Sequence, residues 1–335
     1  MFSRIPAPAV TGEIVPNGVQ FRPTFPVATT QVAAAGERRR RAVKIRDFFT
    51  TDTCVLSFEV FPPVRDGTIA RLVPVIDRLA GLNPHFISVT YGAGGGTRDM
   101  SVEIASLLKK KASVEVLAHL TCVGSGRDQI DEILREFRSE GVQNILALRG
   151  DPPAGETSFT RPADGFGHAC ELVDFIRSYG WFCVGVAGYP EGHQEAESFE
   201  ADVDHLKRKV DAGSDFVITQ LFYRNEDFYR FRDAAGRAGV DVPIVPGIFP
   251  VINYRQINKI ASLCGATIPG ELREQIEPVR DNDDEVARRG IDYAVRQTED
   301  LLRHGVPGLH FYSMNRSGPV EEILNNVSVP GRKTA

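Results

Sequence analysis

From residue 55 onward, short apolar or β-branched runs alternate with longer segments whose apolar residues recur at helical spacing. The runs read VLSFEVF (55–61), HFISVTY (85–91), VEVLAHLTCV (114–123) and NILALRG (144–150), then FCVGVAGY (182–189), DFVITQLF (215–222), VPIVPGIF (242–249) and LHFYSM (309–314). Near-continuous apolar runs of this length mark strands buried on both faces, as in a parallel sheet covered by helices. Between them, FEADVDHLKRKVDAG puts Val203, Leu206 and Val210 on one stripe, and Gly213 stands where a left-handed C-terminal cap falls. QIDEILREFRSEG turns Ile130, Ile133, Leu134 and Phe137 inward and stops at Gly141, and DEVARRGIDYAVRQTEDLLRHG is a third, longer helix. Eight strand–helix units within about 280 residues predict an α/β fold with a single (β/α)8 TIM barrel rather than an open sheet.

The first 45 residues break this pattern. They are rich in Pro, Ala, Thr and Val, lack helical periodicity, and lead into Arg38, Arg39, Arg40 and Arg41. An N-terminal extension, an extended or poorly ordered arm over 1–45, is therefore expected before a catalytic barrel over 46–330. Scarce acidic residues would suit a transit peptide, but neither an amphipathic helix nor a signal-peptide apolar core is present, which leaves a cytoplasmic location as the expectation. A net charge of −5 gives no reason to expect nucleic acid or an anionic membrane as partner. No apolar run approaches the roughly 20 residues of a membrane span. The five cysteines show no CxxC spacing and read as reduced, mostly buried thiols.

After the second strand comes a glycine cluster, Gly92, Ala93, Gly94, Gly95, Gly96, Thr97. The dinucleotide fingerprint requires glycine at the sixth position and a first-strand context, so it fails here. A tight turn at the C-terminal rim of a barrel fits better, and barrel active sites are built at that rim. The other strand ends carry Glu59, Thr90, His119 and Thr121, Arg149 with Gly150 and Asp151, Tyr189 with Glu191 and His193, Thr219 and Gln220, and finally Asn315 and Arg316. Seven of eight otherwise apolar strands thus end in polar groups, and such a ring points to a ligand site.

Several chemistries are poorly supported. The seven histidines show neither HxH nor HExxH, so no metal is expected. There is no GxSxG elbow, and Cys122 lies in an apolar strand that makes a thiol inert. Two alternatives stay open at this point. Glu59 and Asp151 could serve a carbon–oxygen hydrolase as a carboxylate pair. Alternatively, a redox cofactor carries the hard chemistry while the barrel binds and orients it.

Taken together, FEVFPP, SVTYGAGGGTRD, HLTCVG, LALRGDPP, GYPEGH, LKRKVDAGSDFVITQLFY, VPIVPGIFPV and LHFYSMNR resemble the methylenetetrahydrofolate reductase family, in the family's order, from about residue 50 to 325. The resemblance implies a flavoprotein of one-carbon metabolism and methionine biosynthesis. It would reduce 5,10-methylenetetrahydrofolate to 5-methyltetrahydrofolate with NADH or NADPH, in ping-pong fashion through FAD. By matching positions, FAD would be held by Thr90, His119, Arg149, Gly150, Asp151, Tyr189, His193, Asp202 and Lys209. Glu59 would be the acid acting on folate, Asp151 would stabilise developing positive charge, and Gln220, Gln256 and Arg316 would contact folate or nicotinamide. A homo-oligomer, dimer or tetramer, is expected. Ile260 stands where some bacterial members have an aromatic residue that stacks on substrate. Regulation through the large C-terminal domain of animal and fungal members is not expected.

Overall fold

The structure, a computed structural model, describes residues 43–50, 53–63, 68–91, 98–112, 114–152 and 159–332. The predicted arm up to residue 42 and the glycine cluster at 92–97 lie outside them. Eight parallel strands close in sequence order into a barrel, β8 pairing back onto β1. They are β1 (Val55–Val60), β2 (Phe86–Val89), β3 (Glu115–Thr121), β4 (Asn144–Leu148), β5 (Cys183–Gly188), β6 (Phe216–Leu221), β7 (Ile244–Ile248) and β8 (Gly308–Tyr312). Every strand expected from the sequence is present, its ends within two residues of the apolar run that announced it.

The covering helices are α1 (Ile69–Gly81), α2 (Arg98–Leu107), α3 (Arg127–Ser139), α4 (Ala169–Arg177), α5 (Phe199–Asp211), α6 (Asn225–Arg237), α7 (Tyr254–Cys264), α8 (Gly270–Ile276), α9 (Asp283–Arg303) and α10 (Ser317–Asn326). Local chemistry sets their ends. Ser198 accepts the Ala201 N–H at the start of α5, Asn253 accepts that of Gln256 at the start of α7, and Gly213 takes the expected positive φ, 107°, beyond α5.

Strand periodicity separates two cores. Val55, Phe86, Leu117, Cys183, Phe216 and Val245 cluster inside the barrel. Their chain neighbours Leu56, Ile87, Val116, Val184, Val217 and Ile244 pack outward in the cluster beneath the helices. Inside, large meets small: a Cβ on Gly185 would come within 2.6 Å of the Phe216 ring. The 3-10 turn Ile45–Thr50 seals the N-terminal mouth, with Ile45 fully buried and Phe48 and Phe49 packed on the inner cluster. Asn144 pins this turn, accepting the Ile45 N–H at 2.8 Å and donating to the carbonyls of Val43 and Val116.

The β7–β8 connection is the longest and holds α7, α8 and α9. It rests on a third apolar cluster that includes Leu221, Tyr223, Phe249, Ile257, Leu272 and Val286. That cluster seats α7 beside the open, C-terminal mouth. Among the described residues, no helix is long and apolar enough to cross a membrane.

Candidate active site

The C-terminal mouth opens into a cleft with two lobes, which meet along Leu148, Arg149, Ala187, Tyr189 and His193. The inner lobe lies over the barrel axis and holds about 1150 Å³ of empty space counted out to solvent. Glu59 from β1, His119 from β3 and His310 from β8 line it, with Thr90, Gly150, Asp151, Gln220 and Tyr312 around them. Phe249, Met314 and two α7 side chains, Ile260 and Cys264, add an apolar flank.

Glu59 and His119 face each other, Oε2 to Nε2, at 3.6 Å. Desolvation acts on both in opposite senses. It pushes the Glu59 carboxyl up to about 8 and the His119 imidazole down to about 3, so at neutral pH an uncharged acid stands beside an uncharged base. His119 Nε2 is buried with no hydrogen-bond partner, as are Thr121 Oγ1 and Ser88 Oγ. Buried polar atoms are nearly always bonded, so the orphaned His119 nitrogen, which lines the cleft, marks a position a ligand would satisfy. Deeper in, His310 is fixed by Ser57 Oγ at 2.9 Å and by stacking on Phe86.

Gly150 follows β4 with φ 89°, and a Cβ there would sit 3.0 Å from that of Thr121, so only glycine lets Arg149 and Asp151 flank this turn without strain. Gln220 lies where the β6–β7 register shifts, between Ile218 and Leu221, an irregularity of the kind that re-aims side chains near active sites. Its neighbour Thr219 is locked by the Gly247 N–H and the Tyr312 hydroxyl. After β8, Met314 and Asn315 both take positive φ, 50° and 54°. Asn315 holds the turn by bonding both backbone groups of Phe61.

The outer lobe lies between the ends of β4 and β5 and helices α4 and α5. Its basic groups are Arg149, Arg208 and Lys209, with His168, His193 and His205 beside them. Lys209 is buried and donates to the Ala187 carbonyl at 2.6 Å. Desolvation brings its amine down to about 8, against the pull of Asp202. Asp202 is buried too, and burial raises its carboxyl while Lys209 and the His193 backbone oppose that rise. Tyr189 meets His193 edge to face, ring centroids 4.6 Å apart. At the border of the lobes Glu195 grips both terminal nitrogens of Arg149, at 2.5 and 2.7 Å.

Thus the cleft gathers Glu59, Thr90, His119, Arg149, Gly150, Asp151, Tyr189, His193, Asp202, Lys209 and Gln220. It does not gather Gln256, in the first turn of α7, or Arg316, exposed ahead of α10. Sequence reasoning missed His205 and Arg208 in the outer lobe. Both follow Asp202 at helical spacing, a signal that reading α5 only for its apolar stripe passed over. Among the described residues, no three His, Cys, Asp or Glu side chains form a group that could hold a metal.

Fold and cleft together define a parallel (β/α)8 barrel with a two-lobed cleft at its C-terminal rim, lined by Glu59 and Asp151 over the axis and by Arg149, Arg208 and Lys209 at the flank. The chain belongs to the methylenetetrahydrofolate reductase family, whose profile matches residues 44–328. It is 40% identical over 278 residues to the 5,10-methylenetetrahydrofolate reductase of Salmonella typhimurium, covering 82% of this chain and 92% of that one. It is 40% identical over 297 residues to methylenetetrahydrofolate reductase (NADH) 1 of Arabidopsis thaliana, covering 85% of this chain and 50% of that one. The chain therefore spans about half the length of the plant relatives it matches. Among solved structures, a Clostridium thermocellum protein titled as binding two copies of 5-methyl-5,6,7,8-tetrahydrofolic acid shares the fold. Its TM-score is 0.57 at 14% identity, over 85% of this chain and 97% of that one.

Proposed function

We propose that this protein reduces 5,10-methylenetetrahydrofolate to 5-methyltetrahydrofolate with NADH or NADPH as electron donor and FAD as cofactor, which residues of the two lobes would hold. One observation carries the reading: at the floor of a family member's cleft, burial keeps the Glu59 carboxyl protonated, with an unpartnered His119 nitrogen beside it. The residues present fit FAD. Arg149, Arg208 and Lys209 offer cations for a pyrophosphate in the outer lobe, and the orphaned His119 nitrogen offers a partner for a polar ring edge in the inner one. When bound, the flavin supplies the two-electron chemistry that no side chain here can perform.

The chain's own groups do the rest. Glu59 donates a proton to the folate nitrogen that leaves when the five-membered ring opens to the iminium, a step that needs an acid within reach. Asp151, exposed on the inner lobe, places negative charge near the cationic iminium. Gln220 hydrogen-bonds the pterin edge, and Thr90, Gly150, Tyr189, His193 and Asp202 seat the cofactor. Gln256 and Arg316 contact parts of folate or nicotinamide that extend past the cleft rim. The names of the plant relatives specify NADH, which favours NADH as the donor. Anaerobic stopped-flow tests the reading. Protein loaded with FAD should bleach with a reduced nicotinamide and regain flavin absorbance on mixing with methylenetetrahydrofolate. Absence of the second phase would refute it.

A further inference from the structure

Between Tyr189 and His193, which line the cleft, the chain carries Glu191, a rim carboxylate that neither lobe uses. Both of its oxygens accept the Thr267 N–H, at 3.0 Å each, just past α7. Three residues on, Gln194 Nε2 donates to the carbonyls of Ser262 and Leu263, at 3.2 and 3.1 Å. These belong to the last turn of α7, where helix carbonyls have no partner within the helix. Gly265 completes the contact as a left-handed cap, and a Cβ there would lie 2.6 Å from Gln194 Cγ. One loop therefore clasps the C-terminal end of one helix at two polar points.

That helix is a wall of the inner lobe. Ile260 and Cys264 face the cleft, while Ile257 is seated in the apolar cluster behind. Apolar packing is non-directional, whereas hydrogen bonds fix a position by distance and angle. The side chains that fasten α7 come from the same loop that supplies Tyr189 and His193 to both lobes.

We propose that Glu191 and Gln194 are positioning residues: they hold the end of α7 against the inner lobe and so set the width of the slot that receives the flat pterin and aryl rings of the folate substrate. The inference rests on the folate-reductase reading above. Neither side chain lines the cleft, so each acts only through Ile260 and Cys264. A loosened wall weakens ground-state and transition-state contacts alike, which raises KM and spares kcat.

The test uses the FAD-loaded protein and three variants: Gln194→Ala, Glu191→Ala combined with Gln194→Ala, and the conservative Glu191→Gln. The double variant should raise KM for methylenetetrahydrofolate about fivefold to tenfold with kcat within about twofold, the signature of lost uniform binding. Gln194→Ala, at an exposed position, should move in the same direction by less, and Glu191→Gln, which keeps an acceptor oxygen, should stay near wild type. Alkylation of Cys264 supplies a readout independent of turnover. Burial pushes that thiol up to about 11, so wild type should react slowly and the double variant several-fold faster, mapped by peptide mass spectrometry. Unchanged KM in the double variant would overturn the inference, as would a parallel fall in kcat and flavin content. Wild-type protein that binds flavin but never reduces the folate would instead overturn the functional reading itself.

Discussion

At its N-terminal mouth the barrel is filled by Ile45, Val55, Phe86, Leu117, Cys183 and Phe216, all buried. At its C-terminal mouth, one or two inward positions further along the same strands, stand Glu59, Thr90, His119 and Gln220. β1 carries both Val55 and Glu59, and β6 both Phe216 and Gln220, so a single short strand serves packing at one end and chemistry at the other. Damage at the two ends should therefore show in different measurements. Changes at the sealed end should alter stability and leave the chemistry of folded molecules alone. Changes at the open end should do the reverse.

The largest effect is expected from Glu59→Gln. Loss of the acid should slow folate reduction about 10²- to 10⁴-fold while reduction of the flavin by nicotinamide persists, as separate stopped-flow phases would show. The pH profile sharpens the point. With its carboxyl held at about 8, Glu59 is protonated through neutrality, so wild-type folate reduction should fall about tenfold per pH unit above that value. The stability linkage has a matching sign. Because the folded state holds this proton more tightly than the unfolded chain, Glu59 contributes fully below the ordinary carboxylate value near 4.5. That contribution is lost as pH rises through about 8, and Glu59→Gln should abolish this part of the slope.

At the sealed end, Phe216→Ala should destabilise the fold by about 3–5 kcal/mol through lost burial and a cavity, read from denaturant midpoints. Turnover per folded molecule should stay within about twofold. Gly185 makes the experiment sharper. A Cβ at 185 clashes with the intact Phe216 ring, so Gly185→Ala should cost stability in wild type and be tolerated in the Phe216→Ala background. Additive effects would mean that the two positions do not share one space.

These contrasts also explain what the sequence could disclose. Strand β6 was legible because DFVITQLF is buried on both faces, and its polar end was legible because Thr219 and Gln220 interrupt that run. The helical side of the outer lobe is legible only through family resemblance, since Asp202 and Lys209 sit on a helix that by itself looks amphipathic and solvent-facing. His205 and Arg208 went unread for the same reason. The run NILALRG marks Asn144 only as the first residue of a strand. Its partners lie at Val43 and Ile45, about a hundred positions earlier, and no local pattern signals a bond across that distance. The clasp of Gln194 on α7 is hidden in the same way. Asn144→Ala, which deletes one acceptor and two donor contacts in a buried setting, should cost about 1–3 kcal/mol. It should also raise hydrogen exchange over residues 43–50 ahead of the barrel strands.

The smallest stability effect should come from the most conspicuous ion pair. Glu195 holds Arg149 with two short bonds that raise the guanidinium pKa, yet the Glu195 side chain is 51% exposed. Solvent and salt screen such a pair, and ordering two long side chains offsets much of the attraction, so Glu195→Gln should change stability by under about 1 kcal/mol. The residual should shrink further between low and high salt, whereas the loss in Phe216→Ala, which is not electrostatic, should persist. Denaturation curves of both variants at two ionic strengths make the comparison direct. A loss of several kcal/mol in Glu195→Gln would mean that the open rim, like the sealed mouth, is built for stability, and the contrast between the two ends would fail.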